Sequence, residues 1–309
     1  MRPILLAQTV HSVKRVRVSQ SIILLFPLIS AILYVFGAMF LKRAIQFGFD
    51  MWRISFICNL IYAIIFSSLL VMGGTIHVEL LWQPALIAAL FVIGQSATIL
   101  SLQSGDVSLA TPVLGLKILL VAFFTALILK DGVVLAHWIA AVLSVLGIGL
   151  LSRSGARHHE GVKKTLLCAA LAALAFALFD VLVQKWSPAW GAGRFLPIMF
   201  AFGALQSLAM IPFFKSAAHI SREGWRALYI GGVLASIQSV FFVGAVAVYG
   251  KATSANVVYS TRGLWSVVLV WYTGHLFNNT EHESGKAVFG TRLAGAILMT
   301  LSVAIVFAV

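Results

Sequence analysis

Charge is what this chain has least of. Asp, Glu, Lys and Arg make up 10% of its 309 residues against 61% hydrophobic ones, and the mean hydropathy is +1.02. Soluble domains run at about a quarter charged and about half apolar, so a water-soluble fold is excluded. There are two cysteines, Cys58 and Cys168, far apart and each inside an apolar run. That excludes a disulfide framework or a cysteine zinc site and leaves both as packing residues. The apolar windows show no two-residue alternation, which excludes barrel strands and leaves helices. The histidines hold no closed ligand set: His158 and His159 precede Glu160, and His282 lies between Glu281 and Glu283, all as neighbours within loops. No metal or other cofactor is expected. A GxxxxGK[ST] loop is also missing, so ATP is not the energy source. An enzyme is not expected either, because no nucleophile or metal cluster gathers near one end of the spans.

What charge there is falls on one sign, with 22 Lys and Arg against 9 Asp and Glu and a net charge of +13. The basic residues sit in short loops beside apolar runs, where anionic lipid headgroups account for them, and no nucleic-acid partner is implied. Lys14, Arg15 and Arg17 precede the first run as in a signal peptide, but Ser21 to Leu41 is longer than a secretory core and lacks a cleavage site, so it reads as a retained helix.

Apolar runs at about 21–41, 54–72, 85–103, 107–129 and 133–151 predict five spans, and runs at about 165–183, 195–214, 227–249, 253–277 and 292–309 predict five more. The organisation expected is a basic N-terminal segment (1–20), a first five-helix repeat (21–152), a basic linker (153–164) and a second repeat (165–309). The halves resemble each other. Gln95 and Ser96 in the third span answer to Gln238 and Ser239, and the stretch Gly105 to Lys117 returns as Gly250 to Arg262 with Ala110 on Ala255 and Lys117 on Arg262. An odd number of spans per repeat inverts the second copy across the membrane.

Lys117 lies about ten residues into its run, roughly 15 Å deep in a hydrocarbon core about 30 Å thick. A charge there costs about 2.5 to 3.5 kcal/mol on the gentler scales, so each of the two matched cations needs a partner. One reading is a shared anion site, with a lysine point charge and a planar guanidinium gripping a carboxylate or phosphate. The other is internal neutralisation that only fixes packing. Helical spacing puts Tyr259 and Ser266 on the Arg262 face with Trp265 beside them, a set suited to one small solute. Asp180 is the acidic residue well inside a span, on a face with Ala173, Phe176, Ala177 and Gln184, and its counterpart in the first half is Ala38. It is a candidate for proton coupling or a structural ion pair with Lys117 or Arg262. Gln95 and Gln238 are candidates for lining the pathway; Asn256 and Gln206 are further polar residues within spans.

From Ser21 onward, and best from Ala110 to Leu151, the chain resembles the EamA-like, ten-helix members of the drug/metabolite transporter superfamily, with Pro112 in the fourth span, Asp131 after it and Gly147 in the closing helix. It departs from the pattern where Glu usually stands at Asp131 and where Val257 replaces a proline. The resemblance implies an all-α carrier with both termini in the cytoplasm, in a bacterial inner membrane. Loop charge follows that orientation at the N-terminal cluster but opposes it at Lys42, Arg43, Arg53, Lys163, Lys164 and Arg222. The function expected is a secondary transporter, an exporter or exchanger of a small anionic or zwitterionic metabolite, amino-acid-like or an organic acid, working by alternating access. Export of lipophilic compounds or flipping of lipid-linked sugars is the alternative. The partners expected are the solute and the bilayer, and a homodimer is compatible with both.

Overall fold

The computed structural model describes residues 20–104, 110, 113–130, 132–151, 162–215, 221–265, 268 and 286–308. Among these the chain is helical without strands. The backbone has no alternative inside a bilayer, where each unpaired N–H or C=O costs several kcal/mol and a helix pairs them within one segment. The first half contributes α1 (Gln20–Gln46), α2 (Met51–Ser67), α3 (Trp82–Ser104), α4 (Lys117–Phe124) and α5 (Leu135–Leu151). The second contributes α6 (Val162–Trp190), α7 (Ala192–Gln206), α8 (Arg222–Tyr249), α9 (Ala252–Tyr259) and α10 (Lys286–Ala308). Tight 3-10 turns prolong α2 through Ser68–Met72 and α7 through Ser207–Phe213, and a π-turn prolongs α4 through Thr125–Leu129.

Among the described residues six segments are long and apolar enough to cross a membrane: Ile22–Gln46, Met51–Met72, Val78–Leu102, Val162–Trp190, Ala192–Phe213 and Arg222–Tyr249. Val113–Leu129, Leu135–Leu150 and Leu293–Ala308 are shorter apolar helices. Ile64, Leu127 and Leu205 are 60% exposed or more, as side chains that meet lipid tails should be. The protein is an integral membrane protein. Helix ends follow local chemistry. Asp50 caps α2 by accepting the Arg53 N–H at 2.9 Å, and Ser221 caps α8 by accepting from Gly224 N at 3.2 Å. Gly250 closes α8 in the left-handed region (φ 65°), its N–H on the Val246 carbonyl at 3.0 Å, so the chain reverses directly into α9.

Several expected bounds shift. α1 runs on through Gln46, so Lys42 and Arg43 belong to the helix and not to a loop, and α6 extends three residues earlier and several later than its apolar run. Polar flanks continue a helix once its apolar centre is anchored, which hydropathy alone does not register. The fourth and ninth runs are not continuous helices. A tightened turn carries the Leu116 N–H to the Val113 carbonyl (3.1 Å) directly before Lys117. A matching one carries Ser260 N to Val257 O (3.2 Å) and Thr261 N to Val258 O (3.1 Å) before Arg262, and the chain is helical again over 262–265. Ser260 and Thr261 add side-chain bonds to the same two carbonyls, at 2.6 and 2.7 Å. Such back-bonding bends a helix. Most of the linker, Pro112, Asp131, His158, His159, His282 and the later part of the ninth run lie outside the described residues.

Packing exchanges partners between the halves. α1 lies along α8 as α3 lies along α6, α2 touches both α7 and α8 where α7 touches both α2 and α3, and α5 pairs with α10. α4 rests on α6 as α9 rests on α1, and α4 meets α9. This reciprocity is what a pseudo-two-fold axis between inverted repeats produces. Small residues permit the close approaches: Ala169, Ala172, Ala173 and Ala177 are buried along α6. At the α5–α10 seam a Cβ on Gly147 would stand 2.7 Å from Met299 Cγ and 2.9 Å from the Gly295 carbonyl oxygen. Gly147→Leu should therefore lower stability by about 1–3 kcal/mol, read as a lower unfolding temperature in detergent.

Candidate central binding site

α4, α6, α8, α9 and α1 meet around the two cations. Lys117 opens α4 immediately after its tightened turn, and its Nζ sits 2.7 Å from Asp180 Oδ2 on α6. The same oxygen accepts from Asn256 Nδ2 of α9 at 2.7 Å, and that amide also donates to the Ala252 carbonyl at 2.9 Å. One carboxylate thus ties α4, α6 and α9 together. The pair is asymmetric: the Lys117 side chain is 17% exposed and that of Asp180 is 2%. The carboxylate is sealed, while part of the Lys117 side chain is accessible. Phe176 and Phe242 stand beneath it, with Nζ 5.7 and 5.3 Å from the ring centres.

Arg262 is held differently. Its guanidinium lies between the rings of Tyr34 (4.8 Å) and Tyr259 (4.7 Å), which themselves meet edge to face at 6.0 Å. Among the described residues it has no carboxylate within ion-pair distance. Cation–π contact is worth about 0.5–2 kcal/mol and leaves the charge uncancelled. Phe242 bridges the two cations, its ring 4.5 Å from that of Tyr259.

Gln238 on α8 fixes this arrangement. Its Oε1 accepts from Tyr259 Oη (3.2 Å) and lies 2.8 Å from Ser30 Oγ of α1, while its Nε2 donates to Ser239 Oγ at 2.7 Å. The Tyr259 hydroxyl is thereby held between Gln238, to which it donates, and the Arg262 guanidinium, from which it accepts. Along α6, Gln184 accepts the first free N–H of α9, Ala252 N, at 2.9 Å. Gln95 accepts from Asn59 Nδ2 of α2 at 3.0 Å.

Of the residues singled out in the sequence, the structure gathers Lys117, Asp180, Arg262, Tyr259, Gln238 and Asn256. Trp265 is half-buried and packs against the main apolar core, Gln95 is engaged with Asn59, and Ser266 lies outside the described residues. The two matched cations are held differently: Lys117 stands on the Asp180 carboxylate, one of the two ion pairs open to that residue, and Arg262 stands beside two aromatic rings. Tyr34, Phe242, Ser30 and Asn59 were passed over, and Phe176 was noted only as a neighbour of Asp180. A signal for two of them was present: the register that sets Ala38 against Asp180 also sets Tyr34 against Phe176. Each cation rests on the aromatic of the opposite half's opening helix.

Residues 20–153 match the model of the EamA-like transporter family, part of the drug/metabolite transporter superfamily. Residues 20–153 are EamA-like. With the membrane-spanning helices, the match points to a membrane transporter. One solved chain, "Crystal structure of protein", matches with a TM-score of 0.73 at 15% identity, covering 93% of this chain and 98% of its own, which shows a shared fold. No curated protein matches the sequence. The EamA-like match ends near the linker, so the site joins helices inside the matched segment (α1, α4) to helices beyond it (α6, α8, α9).

Proposed function

We propose that this EamA-like protein is a secondary transporter that exports or exchanges a small anionic or zwitterionic metabolite, an organic acid or amino-acid-like compound, by alternating access. The observation that carries this reading is the guanidinium of Arg262, held on two tyrosine rings at the centre of the helices with no carboxylate partner among the described residues. A guanidinium in that setting binds a carboxylate through two parallel N–H donors, and the low-dielectric surroundings strengthen the bond. Tyr259 and Gln238 orient the guanidinium, Trp265 and Ser266 follow it in the sequence, Gln95 belongs to the opposite third span, and Lys117 adjoins it in the same cluster.

In this scheme Asp180 is the counter-ion of Lys117. Coupling to protons would require the Lys117–Asp180 pair to open once per cycle, and Asp180→Asn should then remove the pH dependence of transport. A pH profile unchanged by that substitution ends the coupling proposal. Location in a bacterial inner membrane with both termini cytoplasmic belongs to the same reading and is checked by reporter fusions at the loops.

A second reading draws on the apolar groove of about 570 Å³ between α4, α5 and α10, lined by Val113, Leu116, Leu146 and Leu298. Such a surface suits the tail of a lipophilic substrate or a lipid-linked sugar. Thermal unfolding of the parent and of a Lys117→Ala, Arg262→Ala variant, against organic acids, amino acids, sugar phosphates and lipophilic drugs, separates the two. A ligand at a hundredfold excess over Kd adds about 2.7 kcal/mol of apparent stability. Stabilisation by an organic anion in the parent alone is the result expected. Stabilisation of both proteins by lipophilic compounds alone favours the second reading.

A further inference from the structure

The central cluster contains more charge than it presents. Lys117 and Asp180, 2.7 Å apart, cancel each other, and Asn256 occupies the same carboxylate oxygen. Arg262 is within electrostatic reach of both and is paired by neither. Among the described residues the cluster therefore carries a net charge of +1, localised on a guanidinium that stands beside the rings of Tyr34 and Tyr259 and whose N–H groups not bonded to Tyr259 are left to a ligand.

We infer that the site selects by net charge and takes organic monocarboxylates in preference to dianions and zwitterions, with Asp180 as the residue that sets this preference. The inference rests on the carrier reading above and narrows it. In a low-dielectric interior an uncompensated unit charge is strongly unfavourable, so the bound state nearest neutrality is the most populated. A monocarboxylate brings the total to zero. A dicarboxylate leaves one negative charge over, because the ammonium that would receive it already holds Asp180. A zwitterion delivers its carboxylate to Arg262 but finds no receptor for its ammonium among the described residues, since the carboxylate of Asp180 is 2% exposed and engaged by both Lys117 and Asn256. Lys117 beside it is cationic and repels that ammonium.

The order of preference follows from arithmetic that single substitutions change. Asp180→Asn raises the total to +2 and releases Lys117 toward the ligand, which favours dianions. Combining Lys117→Gln with Asp180→Asn returns the total to +1 with an amide pair in place of the ion pair. The test uses three compounds sharing one phenyl body: 3-phenylpropionate (net −1), benzylsuccinate (net −2) and phenylalanine (net 0). Their dissociation constants are measured by calorimetry on the purified full-length chain and its variants.

The parent should bind 3-phenylpropionate at least about tenfold more tightly than either other compound. Asp180→Asn should shift the ratio by about tenfold or more toward benzylsuccinate, and the double variant should regain the parent's order even if all affinities fall. Preference of the parent for phenylalanine or benzylsuccinate overturns the inference, as does an order that Asp180→Asn leaves unaltered. If Asp180→Asn does not fold, the parent's order and that of the double variant decide it. The carrier reading fails separately, and the inference with it, if none of the three binds the parent or if binding survives Arg262→Gln.

Discussion

Arg262→Gln should abolish anion binding, weakening it by about a hundredfold or more, while the charge-neutral double replacement Lys117→Gln, Asp180→Asn should weaken it far less. Removing one partner of a buried, charge-assisted contact costs about 2–5 kcal/mol, and the lower figure already corresponds to some thirtyfold in affinity. Arg262 is placed for the full loss because no carboxylate among the described residues shares its charge. Lys117 and Asp180, removed together, are placed for a smaller one because at 2.7 Å they cancel each other and the site keeps its net positive charge. Arg262→Lys should restore little. An ammonium keeps the charge but loses the planar fork and the stacking between Tyr34 and Tyr259. Calorimetric titration of the three variants with a monocarboxylate checks this. Equal losses in Arg262→Gln and in the double variant would place Lys117 in the anion site beside Arg262 and contradict the assignment.

Asp180→Leu should be the most destabilising single change in the central cluster, by about 3–5 kcal/mol, because it leaves the Lys117 ammonium and the Asn256 amide without their shared acceptor. Adding Lys117→Met should recover most of that loss. Two apolar side chains of similar volume need no counter-charge, and replacing a buried pair as a unit is often neutral or stabilising. The cycle of parent, two single variants and double variant, read by unfolding midpoint in detergent, isolates the coupling between the residues. A double variant no more stable than Asp180→Leu would show that the carboxylate acts chiefly through Asn256 and not through the lysine. Loss of binding in a double variant that folds well would place Lys117 in the anion site proper.

The helical membrane class was legible in composition, since run length and low charge admit no other backbone solution in lipid. The matched cations were legible because the repeat preserves Gly105 with Gly250 and Lys117 with Arg262. Their different partners were not. Asp180 has Ala38 as its counterpart, so the asymmetry was visible, but which cation it joins depends on α6 lying against α4, a contact between segments far apart in sequence. The broken fourth and ninth runs were hidden for a related reason. Hydropathy averages over a turn that tightens by one hydrogen bond, and Ser260 and Thr261 read as ordinary polar positions until their hydroxyls are seen on the carbonyls three residues back. Tyr34 was missed because a tyrosine in an apolar helix is commonplace; it becomes informative only when set against Phe176 in the repeat register.

Counterflow of a labelled monocarboxylate in proteoliposomes tests the central claim most directly, with the parent and Arg262→Gln reconstituted at equal density. The account predicts that the parent concentrates label against preloaded unlabelled carboxylate and that Arg262→Gln shows none above empty liposomes. Undiminished counterflow in Arg262→Gln would contradict it.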